Sequence, residues 1–109
     1  MVTEKVQNVI NIINDMDIKD KLRLAIRANS SMYTNILYDK KEMFEYFDNR
    51  LKEVDEEYRT TIIDFSKYLV VNFTMAKMME MSNEEQNQVV LYLFNILGFK
   101  QEHFFVENW

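Results

Sequence analysis

The feature that most constrains this chain is its near lack of glycine and proline: its 109 residues contain one glycine and no proline. Turns of types II, I′ and II′ need a residue that tolerates a positive φ, most often Gly or Asn. Hairpin proteins need many such turns, so this composition disfavours a β-rich fold. It predicts an all-α fold of long helices joined by short polar connections.

The length of the chain fits one domain, which we place at 1–109, and leaves no room for a second. Folding a chain of this size buries roughly two-thirds of the surface of the unfolded chain, which is enough for one modest core. Since 48% of the residues are hydrophobic and 14% are aromatic, apolar side chains are available to fill it. We predict a single-domain bundle of about five helices with an aromatic C-terminal tail.

Composition also bears on the cellular compartment. The chain has no cysteine, whereas a small secreted domain usually needs disulfides. The first residues do not resemble a signal peptide, and no apolar run approaches the roughly 20 residues that span a bilayer. These observations predict a cytoplasmic protein with no membrane partner. The richness in Asn, Ile and Lys is typical of AT-rich genomes, such as those of low-GC bacteria, their phages or large DNA viruses.

Apolar residues at helical spacing and polar capping residues mark the predicted helices. Counted with their capping residues, the predicted helical segments cover 3–16, 17–28, 32–38, 39–54, 55–81 and 82–97. At 54–57 the pattern fits either a break or a continuous helix. The segment after it is apolar on more than one side, so we expect it to be the central helix. A strand at 68–73 is the alternative there, because that run is β-branched and aromatic.

Three positions give the clearest start and stop signals. Asp39 with Glu42, and Ser82 with Glu85, stand at the spacing of a capping box, in which side chain and backbone bond reciprocally. Gly98 follows the last apolar turn and predicts a helix end in the left-handed conformation. The connection between the second and third segments is predicted at 29–31.

Enzymatic and metal sites find little support in the sequence. His103 is the one histidine, and no serine has the context of an activated nucleophile. A helical di-iron site needs Glu-x-x-His pairs, and no Glu stands three residues before His103. We found neither a calcium loop nor a Gly-rich phosphate loop. We expect no enzymatic activity, no cofactor and no metal.

Two sets of apolar residues are candidates for partner binding. Methionine is flexible and suits adaptable contact surfaces as well as irregular cores. Large aromatic rings are enriched among the residues that dominate binding energy. The candidate partner-binding residues are Met75, Met78, Met79, Phe104, Phe105 and Trp109. For both sets the plainer interpretation is packing in the core of the chain itself.

A basic stripe followed by a short helix suggests DNA binding as an alternative. Helix, tight link and short helix are the parts of a helix-turn-helix, whose second helix enters the major groove. The candidate DNA-binding residues are Lys19, Arg23, Arg27, Tyr33, Thr34 and Asn35. A solvated basic face is the plainer interpretation of the stripe. The net charge of −5 also disfavours non-specific binding to phosphates.

The segment 30–44, with Leu37-Tyr38 before the run KKEMF, is similar to the end of a TetR-type DNA-binding head. Membership would imply a helix-turn-helix that binds DNA. The turn glycine of that family is absent, since Ala28-Asn29 stand there, and too few residues follow for its ligand domain. We infer no membership.

These observations together predict a small cytosolic regulator, inhibitor or adaptor that binds another protein by occupying its surface. A DNA-binding transcriptional regulator is the alternative. A homodimer is also expected, because the core of a domain of this size does not readily bury so many apolar side chains. The central helix or the aromatic tail would form its interface.

Overall fold

The computed structural model describes residues 2–60 and 64–98, and that part of the chain folds into α-helices joined by irregular connections. The α-helices are α1 (Glu4–Asp15), α2 (Ile18–Ser31), α3 (Lys40–Val54), α4 (Leu69–Met79) and α5 (Asn83–Ile96), and a 3₁₀ turn covers Phe65–Lys67. The predicted all-α bundle is confirmed. The tail 99–109, with the candidate residues Phe104, Phe105 and Trp109, lies outside the described residues.

Side-chain caps start the first two helices where the sequence predicts. The hydroxyl of Thr3 accepts a hydrogen bond from the amide of Val6 at 3.3 Å. The carboxylate of Asp17 accepts one from the amide of Asp20 at 2.8 Å. Each cap satisfies an amide that has no partner within its own helix.

The predicted connection at 29–31 was wrong, because α2 continues to Ser31. The hydroxyl of Ser30 donates to the carbonyl of Arg27 at 3.0 Å within the last turn. A serine that bonds back to its own helix does not start the next one. Asn29 is buried at the same end of α2 and donates to the carbonyl of Lys40 at 3.0 Å, which ties α2 to the start of α3.

The predicted short helix at 32–38 was also wrong, because this stretch is irregular. The amide of Tyr33 donates to the side chain of Gln86 at 3.2 Å, and that of Asn35 donates to Asn87 at 2.9 Å. Both acceptors lie on α5. Side chains from a distant helix thus take up the amides that a local helix would have used.

The capping residues of α3 and α5 give a first test of the fold. Asp39 accepts from the amides of Lys41 and Glu42 at 2.9 and 3.1 Å, and Ser82 with Glu85 forms the complete capping box. Replacing Asp39 or Ser82 by alanine is expected to lower the free energy of unfolding by about 0.5–2 kcal/mol each. Denaturant melts check this, and unchanged midpoints in both variants would contradict the two caps.

The start of the predicted helix 55–81 was wrong, since α4 begins only at Leu69. Asp55 ends α3 instead of starting a helix: its amide donates to the carbonyl of Leu51 at 2.9 Å. Its carboxylate accepts from the amide of Glu57 at 3.1 Å, within the irregular stretch that follows α3. Across Leu69–Met79 the helix is confirmed over the alternative strand.

The centre of the bundle is α2 rather than the predicted segment. This helix contacts α3, α4 and α5 and is buried over much of its surface, whereas α4 keeps one side exposed. Aromatic rings of α3 and α5 meet in the core, with the centroids of Phe47 and Phe94 5.1 Å apart. The last turn of α5 is held by Tyr46, whose hydroxyl donates to the carbonyl of Leu97 at 2.8 Å. Gly98 follows with a φ of 93°, which confirms the predicted left-handed end. Within 2–60 and 64–98, no helix is long and apolar enough to cross a membrane.

Candidate functional site

The most unusual feature of the described chain is that α4 is apolar on its exposed side. The helix buries Val71, Thr74, Met75 and Met78 against the bundle. Its opposite side still carries large apolar residues: Leu69 is 79% exposed, Phe73 56% and Met79 66%. We call the surface formed by Leu69, Val70, Phe73, Ala76 and Met79 the α4 face.

Helix geometry makes these residues neighbours. Leu69, Phe73 and Ala76 follow one another at spacings of four and three, which places them in one row along the helix. Val70 and Met79 lie beside that row. The one hydroxyl of α4 does not interrupt the face, because Thr74 is buried and donates to the carbonyl of Val70 at 2.7 Å. The α4 face is therefore a continuous strip over the length of the helix.

Charged and polar groups border the α4 face. The ammonium of Lys77 lies 4.9 Å from the ring centroid of Phe73. On the other flank Asn72 accepts a hydrogen bond from Arg27 at 3.1 Å. Towards the C-terminal end, Lys77 and Glu80 also line a cleft of about 160 Å³. An apolar centre with a polar border is the usual anatomy of a protein contact surface.

The structure separates the predicted methionine cluster. Met75 and Met78 are core residues, 2% and 0% exposed, so the prediction that they bind a partner was wrong. Met79 lies on the α4 face, as a binding role requires. The other four residues of the α4 face, which sequence reasoning missed, share one signal, which is that the few polar residues of α4 do not gather on one side.

The predicted basic stripe is not a solvated face at Arg23. Its guanidinium donates to Asp20 at 2.8 Å and to Asp55 at 2.9 Å. It also lies 3.9 Å from the ring centroid of Tyr68. Arg23 is only 9% exposed, so it fastens the irregular stretch after α3, and the start of α4, to α2. Burial alone would lower the pKa of Arg23. The bonds to Asp20 and Asp55 outweigh this effect, so the pKa is raised.

The other candidate DNA-binding residues are scattered rather than gathered on a recognition helix. Lys19 and Arg27 are half-buried on α2. Tyr33 is exposed and Asn35 binds α5 through its amide. Thr34 donates to the carbonyl of Ile36 at 3.0 Å. Because 32–38 is not helical, the second helix of a helix-turn-helix is missing at the predicted place.

A buried carboxylate that sequence reasoning missed ties α3 to the stretch after it. Asp48 is nearly inaccessible, and it accepts from the hydroxyls of Tyr58 at 2.6 Å and Thr60 at 2.7 Å. Lys52 forms an ion pair with it at 2.9 Å. Burial raises the pKa of Tyr58 to about 12, and its bond to Asp48 adds to the shift. Each hydrogen bond has a structural role, joining α3 to the segment 58–60.

A polar cleft of about 340 Å³ lies beside the ion pairs of Arg23 and the hydrogen bonds of Asp48. Its walls carry charges of both signs: Arg23 and Asp55 are paired to each other, and Lys19, Arg59 and Asp64 stand around them. No three potential ligands among the His, Asp and Glu residues of the described chain gather as a metal site. The four basic and three acidic side chains that line the cleft leave a net charge of only +1, which does not select one class of small ligand.

Comparisons of this chain with protein-family models, with curated proteins and with solved structures found no match. Within the described residues, the α4 face is the feature that most favours a function.

The Asp48 cluster makes stability depend on pH in the acid range. Burial raises the pKa of Asp48, but hydrogen bonds from Tyr58, Thr60 and Lys52 outweigh it and leave the pKa below the ordinary 3.8. A carboxylate with a lowered pKa stabilises the fold above its ordinary pKa, and that contribution is lost as pH falls through the folded-state value. Denaturant melts at falling pH should therefore show decreasing stability below the ordinary pKa.

The matched variant for this prediction is Asp48→Asn, which keeps the shape of the side chain and removes its charge. We expect it to be less stable than the original chain at neutral pH and to lose less stability on acidification. An identical pH profile in both proteins would show that Asp48 does not supply the acid dependence.

Proposed function

We propose that this chain is a small cytosolic regulator, inhibitor or adaptor that acts by laying its α4 face on the surface of another protein. The observation that carries the proposal is the α4 face itself. Single exposed apolar residues are normal on a protein surface. A contiguous apolar strip with a polar border is typical of an interaction site.

The size of the α4 face supports a protein as the ligand. From the exposed fractions of its side chains, the strip presents on the order of 400–500 Å² of apolar surface, as much as the largest patch on a typical monomer. At about 25 cal/mol per Å², covering it gains roughly 10 kcal/mol before the costs of association are subtracted. A convex helical strip of this length offers no enclosure for a small molecule, whereas an apolar groove of another protein can cover it.

The same observations give the DNA-binding alternative less support. Arg23 is engaged with two carboxylates inside the protein, and the stretch 32–38 offers no helix for a groove. The bases of the α4 border, Lys77 and Arg27, flank an apolar strip, whereas a DNA-binding surface needs cations along its centre.

The proposal is tested by capture from a lysate of the native host with the tagged chain and three variants. Leu69→Asp places a charge at the N-terminal end of the α4 face, and Phe73→Asp places one near its middle. Leu37→Asp is the matched control, since Leu37 is an apolar residue, 46% exposed, that lies outside α4. We expect the original chain and the control to retain the same protein, and both α4 variants to lose it. Equal retention by all four proteins would overturn the proposal.

A further inference from the structure

The sulfur chemistry of this chain belongs to methionine alone. The sequence has eight methionines and no cysteine, so the thiol that usually senses oxidants in proteins is missing. Methionine is the other side chain with an oxidisable sulfur, and it takes up one oxygen atom to form a sulfoxide. A response of this chain to a mild oxidant at sulfur therefore takes place at a methionine.

Exposure singles out one of the methionines that the structure describes. Met79 is 66% exposed, whereas the others in the described residues are only 0–7% exposed. An oxidant dissolved in water reaches the side chain of Met79 without any opening of the fold, while a buried thioether reacts only when the core opens. The covered methionines are Met16, Met32, Met43, Met75, Met78 and Met81.

We propose that Met79 is a modification site, and that its oxidation by hydrogen peroxide turns off the binding of another protein to the α4 face. This inference rests on the proposed function, because it adds a means of regulation to the same surface. In the reaction the thioether sulfur bonds to one oxygen of the peroxide as the O–O bond breaks, and the other oxygen leaves as water. The sulfur is oxidised and the peroxide is reduced by the same two electrons.

The position of Met79 on the α4 face gives the modification its effect. Met79 follows Ala76 by three residues, so the two are neighbours on the surface of the helix. Its side chain is part of the apolar strip that a partner covers. A sulfoxide is polar, and covering it with an apolar groove that offers no hydrogen-bond donor costs free energy. Together with the lost apolar contact, this cost should weaken binding at least about tenfold.

The same oxidation leaves the fold in place. Met75 and Met78 supply the methionine contacts of α4 with the core, and both are buried. Met79 is the last residue of the helix, and the backbone closes the end there: the amide of Glu80 donates to the carbonyl of Lys77 at 3.3 Å. A sulfoxide on an exposed side chain removes none of these contacts. Oxidation of Met79 therefore changes binding without changing stability.

The modification is reversible, and a bound partner opposes it. Methionine sulfoxide reductases, one for each epimer, return the sulfoxide to the thioether. Thiols supply the electrons: two thiols become a disulfide, and the oxygen leaves as water. Because a ligand and a modification that oppose each other do so reciprocally, a partner seated on the α4 face should slow the oxidation of Met79.

The test compares the tagged full chain before and after treatment with hydrogen peroxide, stopped when peptide mass spectrometry finds sulfoxide at Met79 and not at the buried methionines. The probe is the protein that the original chain retains from a native-host lysate and that Phe73→Asp loses. We expect the oxidised chain to bind it at least about tenfold more weakly, with an unchanged melting temperature. Both reductases together should restore binding, and the bound probe should slow the oxidation of Met79.

Two substitutions at the same position are the matched variants. Met79→Leu keeps an apolar side chain and removes the sulfur, so it should bind the probe equally well before and after peroxide. Met79→Gln places a polar amide where the sulfoxide would be, and it should bind weakly without any peroxide.

Equal binding of the probe before and after oxidation of Met79 would overturn the switch and leave the proposed function in place. An equal loss of binding in peroxide-treated Met79→Leu would also overturn it, because the oxidation would then act at another residue. If the original chain retains no protein that Phe73→Asp loses, the proposed function itself fails, and the switch is overturned with it.

Discussion

Replacing Met78 by alanine is expected to lower the free energy of unfolding by about 2–5 kcal/mol, as the loss of a fully buried side chain does in other cores. Met79→Ala, one residue further along α4, should change it by less than about 0.5 kcal/mol. Met78 is 0% exposed and Met79 is 66% exposed, so one substitution leaves a cavity and the other trims a surface. Urea denaturation of the two variants measures the difference.

This pair is informative because both residues belong to the same methionine-rich helix and undergo the same chemical change. Any effect of helix propensity is shared, so the difference reports burial alone. Equal losses of stability in the two variants would mean that α4 is rotated about its axis relative to the bundle, and that the α4 face is not the exposed side.

Arg23→Ala is expected to lower the free energy of unfolding by about 2–3 kcal/mol, because it leaves two shielded carboxylates without their cation. The side chains of Asp20 and Asp55 are 22% and 14% exposed. The pKa of Asp55 is held down against burial by its bond to Arg23, and it should rise in the variant. Denaturant melts measure the stability, and side-chain carboxyl NMR measures the pKa.

Lys19→Ala is the matched control, since Lys19 lies one turn earlier in the same stripe and is half-buried. Its removal should cost less than about 0.5 kcal/mol. If Arg23→Ala lowered the free energy of unfolding as little as Lys19→Ala, the stripe would be a solvated face after all.

The starts of α1, α2, α3 and α5 could be predicted from the sequence because capping is local, whereas α4 has no side-chain cap. Thr3, Asp17, Asp39 and Ser82 each bond to amides two or three residues further on, within the reach of a sequence pattern. The connections could not be predicted, because distant groups decide them. The stretch 32–38 is held by α5, more than fifty residues away.

The binding surface could be predicted only in part, for a related reason. Periodicity identifies a core-facing side when the other side is polar, and the few polar residues of α4 do not gather on one side. The sequence therefore indicates an unusual helix and a cluster of methionines, without telling Met75 and Met78 from Met79. Only the packing of α4 against α1, α2 and α5 settles which residues are covered.

A comparable ambiguity affected Arg23. Three basic residues at four-residue spacing are typical of a solvated face, and the pattern carries no sign of a buried partner. Asp55 is thirty-two residues away in the sequence and meets Arg23 only when the chain after α3 folds back on α2. The same carboxylate fits the pattern of a helix start, which is why the predicted helix began too early.

The central claim is that α4 has one side in the core and one apolar side open to a partner, and limited oxidation with hydrogen peroxide tests it most directly. Peroxide converts accessible methionine to its sulfoxide, and peptide mass spectrometry reads each position in the dilute protein. Met79 is the exposed one of the methionines in the described chain. We predict that Met79 oxidises well before Met75 and Met78. Oxidation of all three at the same rate would contradict the claim.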